Sequence, residues 1–288
     1  MIAFLVLIYF LVQSLNKVDW NQQSIQLNQP LALVFALILV PLNWLFEWMK
    51  WKATLRFSSV STTNSVAFQA FCSGIVTGML TPNMQGNFLG RIYYFDRKHR
   101  VDLILTTLAS NYGQFLMSLL FGVLSILILM KTPLNWPVVL ILILFISALL
   151  FFSVLYFYFE KVATYFVKKK RVFPILQRLK THQIFRWTII YLSLLRHTVF
   201  VVQFGLLLLA FGVPFSFELI FWIWQVYLWV TISPSLFLGK LAIRESISLW
   251  VLTVAGYQQQ PILIASFSVW IINLFIPTIF AIFIAKKK

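Results

Sequence analysis

The sequence predicts an all-α polytopic membrane protein with about six transmembrane helices plus two re-entrant helical hairpins in an inverted repeat. Three observations predict it. First, 61% of the 288 residues are hydrophobic and only 10% are charged, with mean hydropathy +0.89. A water-facing domain carries about a quarter charged residues. Second, the long runs are apolar on every face, whereas strands of a membrane barrel would alternate apolar and polar residues. Third, two of those runs are broken at their centres. One reads Thr81-Pro82-Asn83-Met84-Gln85-Gly86-Asn87-Phe88-Leu89-Gly90-Arg91, and the other reads Ser233-Pro234-Ser235-Leu236-Phe237-Leu238-Gly239-Lys240-Leu241-Ala242-Ile243-Arg244-Glu245. Paired interruptions in matching positions of two halves point to a transporter's binding site.

Residues 2–15 read as a short first helix. No basic residue precedes it and no small-x-small cleavage site follows, so it is expected to be an uncleaved span. Residues 31–49 form the second helix. Residues 65–96 form the first hairpin, because arms of about 16 and 14 residues reach only about 21–24 Å, short of the roughly 30 Å hydrocarbon core. Non-helical backbone at that depth survives only inside protein or beside a wet cavity. The helix 103–130 closes the first repeat (1–132). Lys131-Thr132-Pro133 marks the divide. The second repeat (133–288) has helices 135–159 and 187–211 around a basic loop 160–186, a hairpin 217–257 and a last helix 262–284. Three full spans per half turn the second half upside down relative to the first. An ordinary bundle with two proline kinks is the competing arrangement.

Orientation follows from where the cations fall. Lys50, Lys52 and Arg56 follow the second apolar run, and Arg97, Lys98 and Arg100 precede the helix 103–130. The loop 160–186 holds eight more, from Lys161 to Arg186, and the chain ends in three lysines. Only Lys17 and Lys131 fall on the other side. Both termini are therefore expected in the cytoplasm of a plasma membrane. This pattern accounts for the net charge of +16 without nucleic acid. Apolar positions among the loop's cations suit a helix lying on an anionic leaflet.

Four cations remain, Arg91, Arg196, Lys240 and Arg244, inside or at the edge of apolar segments. A charge at the bilayer centre costs roughly 3 kcal/mol on insertion scales, so such residues face the interior with partners or a function. Snorkelling to the interface competes for Arg91, beside Tyr93 and Tyr94, and more strongly for Lys240. Glu245 and Glu47 are the nearby carboxylates, and Arg244-Glu245 also fits a structural ion pair. The surplus of positive charge calls for an anion from the substrate, and the planar guanidinium suits phosphate. Helix N-termini after Pro82 and Pro234 would add aimed N–H groups. His197 reads as an interior histidine. Cys72, the one cysteine, rules out an internal disulfide and a cysteine metal site. The three histidines lack metal spacing, and no cofactor is expected.

Thr81-Pro82-Asn83 with Gly86 and Gly90-Arg91, then Pro234 and Ile243-Arg244-Glu245, resemble the lysylphosphatidylglycerol synthase transmembrane region, or flippase-like, family over nearly the whole chain. The resemblance implies a membrane unit associated with moving modified or anionic phospholipids between leaflets. Some members fuse it to a soluble domain that transfers an amino acid from tRNA to a lipid, and no such domain is evident here. By the same resemblance, Pro82, Gly86, Arg91, Pro234, Arg244 and Glu245 are hairpin motif positions. The sequence departs from the pattern at Asn87, often glutamate in the family, and at Ala242, often glycine. Losing that glutamate leaves a more positive cavity, less suited to cationic aminoacyl-lipids.

The expected function is therefore a lipid translocase for a phosphate-bearing lipid. Arg91, Arg196, Arg244, Glu245, Asn83 and Gly86 would form the substrate site, and Pro82 and Pro234 the helix breaks. No nucleotide-binding phosphate loop is present in the sequence, so movement would be downhill, exchange-driven or ion-coupled. Two other readings compete. One is a membrane enzyme acting on a lipid phosphate or polyprenyl carrier, although no catalytic constellation is evident. The other is a non-transporting partner of a separate lipid-modifying enzyme. A homo-oligomer is compatible with all three.

Overall fold

The computed structural model describes residues 9, 12–13, 27–58, 60–130, 136–166, 183–235 and 240–285. It is all-helical, with no strand among the described residues. In chain order the helices are α1 (Pro30–Phe57), α2 (Asn64–Met79), α3 (Asn87–Ile92), α4 (Arg97–Leu129), α5 (Trp136–Phe166), α6 (Gln183–Ala210), α7 (Phe217–Ile232), α8 (Ile243–Val254) and α9 (Gln259–Ile284). Five of them, α1, α4, α5, α6 and α9, are long and apolar enough to cross a membrane. The expected span 2–15, most of the basic loop and the divide at 131–133 lie outside the described residues, although Tyr9, Val12 and Gln13 are helical.

Several helices run past the expected boundaries. α1 continues through Lys50 and Lys52 to Phe57, α4 starts at Arg97, and α5 continues to Phe166. Basic residues mark where a span meets the interface, but they are good helix formers and do not end the helix. The helix starts carry clearer signals. Pro30 opens α1 at its first turn, where a missing N–H costs nothing. Thr63 and Ser216 cap α2 and α7, their hydroxyls accepting from Val66 N (3.3 Å) and Leu219 N (3.0 Å).

α1 and α6 form the central antiparallel pair. At one end, the N–H of Asn28 donates to the carbonyl of Ala210 (2.9 Å). At the other, the Phe57 and Phe185 rings stack at 4.5 Å. Two helical hairpins, α2–α3 and α7–α8, start from opposite ends of this pair. The first begins beside the C-terminal end of α1, where the Trp51 indole donates to the Ala67 carbonyl (2.9 Å). The second follows the C-terminal end of α6, and the Ser216 and Tyr257 hydroxyls join its two feet (3.2 Å). Both first arms have 16 residues. The helix after each hairpin packs on the first arm of the other, α4 on α7 and α9 on α2.

The first hairpin's return arm is shorter than expected. α3 has only 6 residues before a turn leads into α4. It closes on α2 through small residues: a Cβ on Gly90 would lie 2.4 Å from the Ser73 carbonyl oxygen, and one on Gly74 would lie 2.7 Å from the Asn87 carbonyl oxygen. Gly74-x-x-x-Gly78 on one arm thus faces Gly86-x-x-x-Gly90 on the other, the close backbone approach that small residues permit in lipid.

Candidate functional site: a shared carboxylate and two hairpin tips

Asn43, Glu47 and Lys50 follow one another at four- and three-residue steps, so they share one face of α1. That face turns inward, and Asn43 and Lys50 are buried. Glu47 is the hub. Its Oε1 accepts from Arg91 Nη2 of α3 at 2.9 Å, and its Oε2 accepts from Arg196 Nη1 of α6 at 2.9 Å. Lys50 Nζ stands 3.7 Å from Oε2. Three cations therefore surround one carboxylate. Aromatic faces hold the two guanidinium groups: Arg91 lies 5.0 Å from the Trp51 ring centre and 5.6 Å from that of Phe71, and Arg196 lies 5.0 Å from that of Phe200. Arg91 also threads past Gly74, where a Cβ would meet its Cγ at 2.7 Å.

A chain of amides continues from this hub. Arg196 Nε donates to Asn43 Oδ1 (2.8 Å), Asn43 Nδ2 to Asn273 Oδ1 (3.0 Å), and Asn273 Nδ2 to Gln203 Oε1 (2.7 Å). Gln203 Nε2 ends the chain on the Ala36 carbonyl (2.9 Å). Asn273 reaches it from a π-helical turn, Ile271–Phe275, in α9. Pro277 explains that turn. It has no N–H for the Asn273 carbonyl, four residues back, so the regular ladder is interrupted there.

The hairpin tips meet each other. Asn83 has φ 51° and Met84 φ 57°, left-handed backbone that asparagine tolerates better than most residues. In that pose the Asn83 N–H donates to the Ser235 carbonyl (3.2 Å) or hydroxyl (3.1 Å), and the Ser235 N–H donates to Asn83 Oδ1 (2.9 Å). Pro82 and Pro234 each precede a residue of this contact. Gly86 donates its N–H to Thr81 Oγ1 (2.6 Å), and a Cβ there would lie 2.6 Å from the Thr77 carbonyl oxygen, so Gly86 locks the first tip.

The structure thus brings together Arg91 and Arg196, and separately Asn83 with Ser235. Arg91 is buried at 3% exposure, not at an interface. Lys240, with φ 68°, does not snorkel. Its ammonium folds back on the carbonyls of Val230, Thr231 and Ser233, giving the C-terminus of α7 the positive cap its dipole favours. Arg244 and Glu245 stand at the start of α8, outside the Glu47 hub. Arg244 Nε and both Glu245 carboxylate oxygens are buried with no hydrogen-bond partner among the described residues. His197 stacks on Phe121 at 4.9 Å, and neither ring nitrogen has a hydrogen-bond partner among the described residues.

Sequence reasoning missed Asn43, Lys50, Gln203 and Asn273. Lys50, by sequence one of the boundary cations after the second apolar run, is 1% exposed. The signal was the Asn-Glu-Lys stripe at helical spacing in an otherwise apolar segment.

No curated protein and no solved structure matches this chain. A match to the family described as the Lysylphosphatidylglycerol synthase TM region spans residues 1–281. With five helices among the described residues long and apolar enough to cross a membrane, the chain is a multi-pass membrane protein that belongs to the lysylphosphatidylglycerol synthase transmembrane-region family, which ties it to membrane lipids.

Proposed function

We propose that this protein is a lipid translocase that moves a phosphate-bearing lipid between leaflets through the cationic hub. One observation carries the reading: Arg91 of the first hairpin and Arg196 of α6, far apart in sequence, share a single interior carboxylate with Lys50 beside it. Three cations against one anion leave a surplus of positive charge, and a phosphate supplies what is missing. Its oxygens accept from planar guanidinium groups in pairs. Glu47 holds the arginines in place while no phosphate is bound. An arriving phosphate competes for the same donors and loosens the tie between the hairpin and α6. Only such a difference in contacts between two states lets a ligand shift their balance.

The two hairpins, starting from opposite ends and touching tip to tip, support a re-entrant, inverted-repeat arrangement. In it, residues 1–132 and 133–288 are the two repeats, and Pro82 and Pro234 break the helices at mid-membrane. Separating Asn83 from Ser235 opens the path. Arg244 and Glu245 form a second polar station beside the second tip. Lys52 and Arg56 at the end of α1, Arg97 to Arg100 at the start of α4 and Arg186 on α6 gather at one end of the bundle, which supports cytoplasmic termini in a plasma membrane.

Mass spectrometry of lipids that co-purify with the protein tests the site. The expected result is enrichment of one phosphate-bearing class over the host membrane, lost in the Arg91→Gln, Arg196→Gln protein. Equal, unselective lipid in both would remove the phosphate role from the hub.

A further inference from the structure

α4 touches both of the elements that bring arginines to the hub. It meets α3, which carries Arg91, through the Asn111 and Asn87 amides at 3.3 Å in each direction. It meets α6, which carries Arg196, along a seam with two close contacts in its middle. At Gly113 a Cβ would lie 2.8 Å from Ile189 Cγ2 and 3.2 Å from Ser193 Oγ, so a bare glycine lets the helices close over that hydroxyl. One turn further along α6, His197 stacks on Phe121 with ring centres 4.9 Å apart. From Ile189 to His197 the closed stretch rises about 12 Å. A cleft flanks each end of it. One, of about 230 Å³, lies between Tyr112 of α4, Tyr156 of α5 and Arg186 of α6. The other, of about 340 Å³, lies between Phe121 of α4, Gly205 of α6 and Trp224 of α7.

The closed stretch buries polar groups that find nothing there. Ser193 is 0% exposed and His197 1%. Neither the serine hydroxyl nor either ring nitrogen has a hydrogen-bond partner among the described residues. Other hydroxyls on α6 avoid this by bonding back to their own helix. Thr188 Oγ1 donates to the Ile184 carbonyl (2.8 Å) and Thr198 Oγ1 to the Leu194 carbonyl (3.1 Å). A polar group buried unpaired is unfavourable, so the shut seam carries a penalty that water in an opened seam removes.

We propose that the α4–α6 seam is the lateral gate of the hub. α4 withdraws from α6, water reaches Ser193 and His197, and the phosphate-bearing head group passes between the helices while its acyl chains stay in the bilayer. The flanking clefts reduce what must separate to the stretch around Gly113 and Phe121. Gly113 lets that stretch shut tightly, and the unpaired groups keep it from being too stable to open. The role as a gate rests on the translocase reading, whereas the opening of the seam does not.

The test uses Cys72→Ser protein in lipid vesicles. With Ser193→Cys added, a charged methanethiosulfonate, which reacts with a hydrated thiolate, should label position 193 about ten-fold faster than in Ser266→Cys. Ser266 is equally buried but pairs with Ser248 (3.3 Å). Ten-fold corresponds to about 1.4 kcal/mol, within the cost of one unpaired buried polar group. Phe121→Cys with His197→Cys, joined by a short bis-maleimide, should move fluorescent phosphatidylglycerol at least about ten-fold more slowly than the same protein before cross-linking. Labelling of Ser193→Cys as slow as that of Ser266→Cys would overturn the opening. Movement that survives the clamp would overturn the gate and leave the translocase reading standing. No movement by the Cys72→Ser protein itself would overturn the translocase reading and the gate together, and the labelling would still decide whether the seam opens.

Discussion

Replacing Glu47 with glutamine removes the one negative charge that Arg91, Arg196 and Lys50 share. Arg91 is 3% exposed and Lys50 1%, so their charges have little water to fall back on. Breaking a buried ion pair by deleting one partner costs about 3–5 kcal/mol. Glutamine keeps one carbonyl acceptor, and Arg196 is 23% exposed, so the lower end, about 3 kcal/mol, applies. At about 2–4 °C per kcal/mol, the midpoint of thermal unfolding should fall by roughly 6–12 °C. The assay is thermal unfolding in one detergent, followed by fluorescence. A cycle with Arg91→Gln adds a control. Removing both charges together should cost less than the sum of the single losses, because Arg91 is then no longer left buried without its carboxylate. A Glu47→Gln midpoint within about 1 °C of the parent, or strict additivity in the cycle, would refute the shared-carboxylate account.

Other substitutions probe the hairpins. Gly90→Ala places a methyl 2.4 Å from the Ser73 carbonyl oxygen, and backbone cannot yield cheaply, so it should destabilise by about 1–3 kcal/mol in the same melt. Asn83→Cys with Ser235→Cys, in a Cys72→Ser background, should cross-link through a short bifunctional thiol reagent, because the native side chains already meet at 3.2 Å. No cross-link would separate the tips. Lys240→Met strips the carbonyls at the end of α7 of their charged donor and should cost about 1–2 kcal/mol. Asn273→Leu breaks the amide chain to Asn43 and Gln203 and should cost about 1–3 kcal/mol by leaving buried amides unpaired. A neutral melt for either would remove the role assigned to it.

Much of this arrangement was legible in the chain. Apolar length placed α1, α4, α5, α6 and α9, and the Pro82 and Pro234 interruptions placed both tips, because spans and prolines leave strong local signals. Arg91 and Arg196 stood out because a cation inside an apolar run is expensive. Lys50 did not. Three residues past Glu47 and next to Lys52, it read as one more boundary charge, and only the burial of that face of α1 separates it from them. The short α3 was hidden too, since Gly74, Gly78, Gly86 and Gly90 act in pairs across the hairpin rather than along it. The π turn at Asn273 follows from Pro277, but its use becomes visible only when α1 and α6 come alongside.

The most direct test of the central claim is transbilayer movement of a fluorescent phosphatidylglycerol in vesicles containing the purified protein, read by reduction of outer-leaflet probe. The account predicts faster movement than in protein-free vesicles, lost in the Arg91→Gln, Arg196→Gln protein at equal reconstitution. Movement no faster than in empty vesicles, or undiminished without the two arginines, would contradict it.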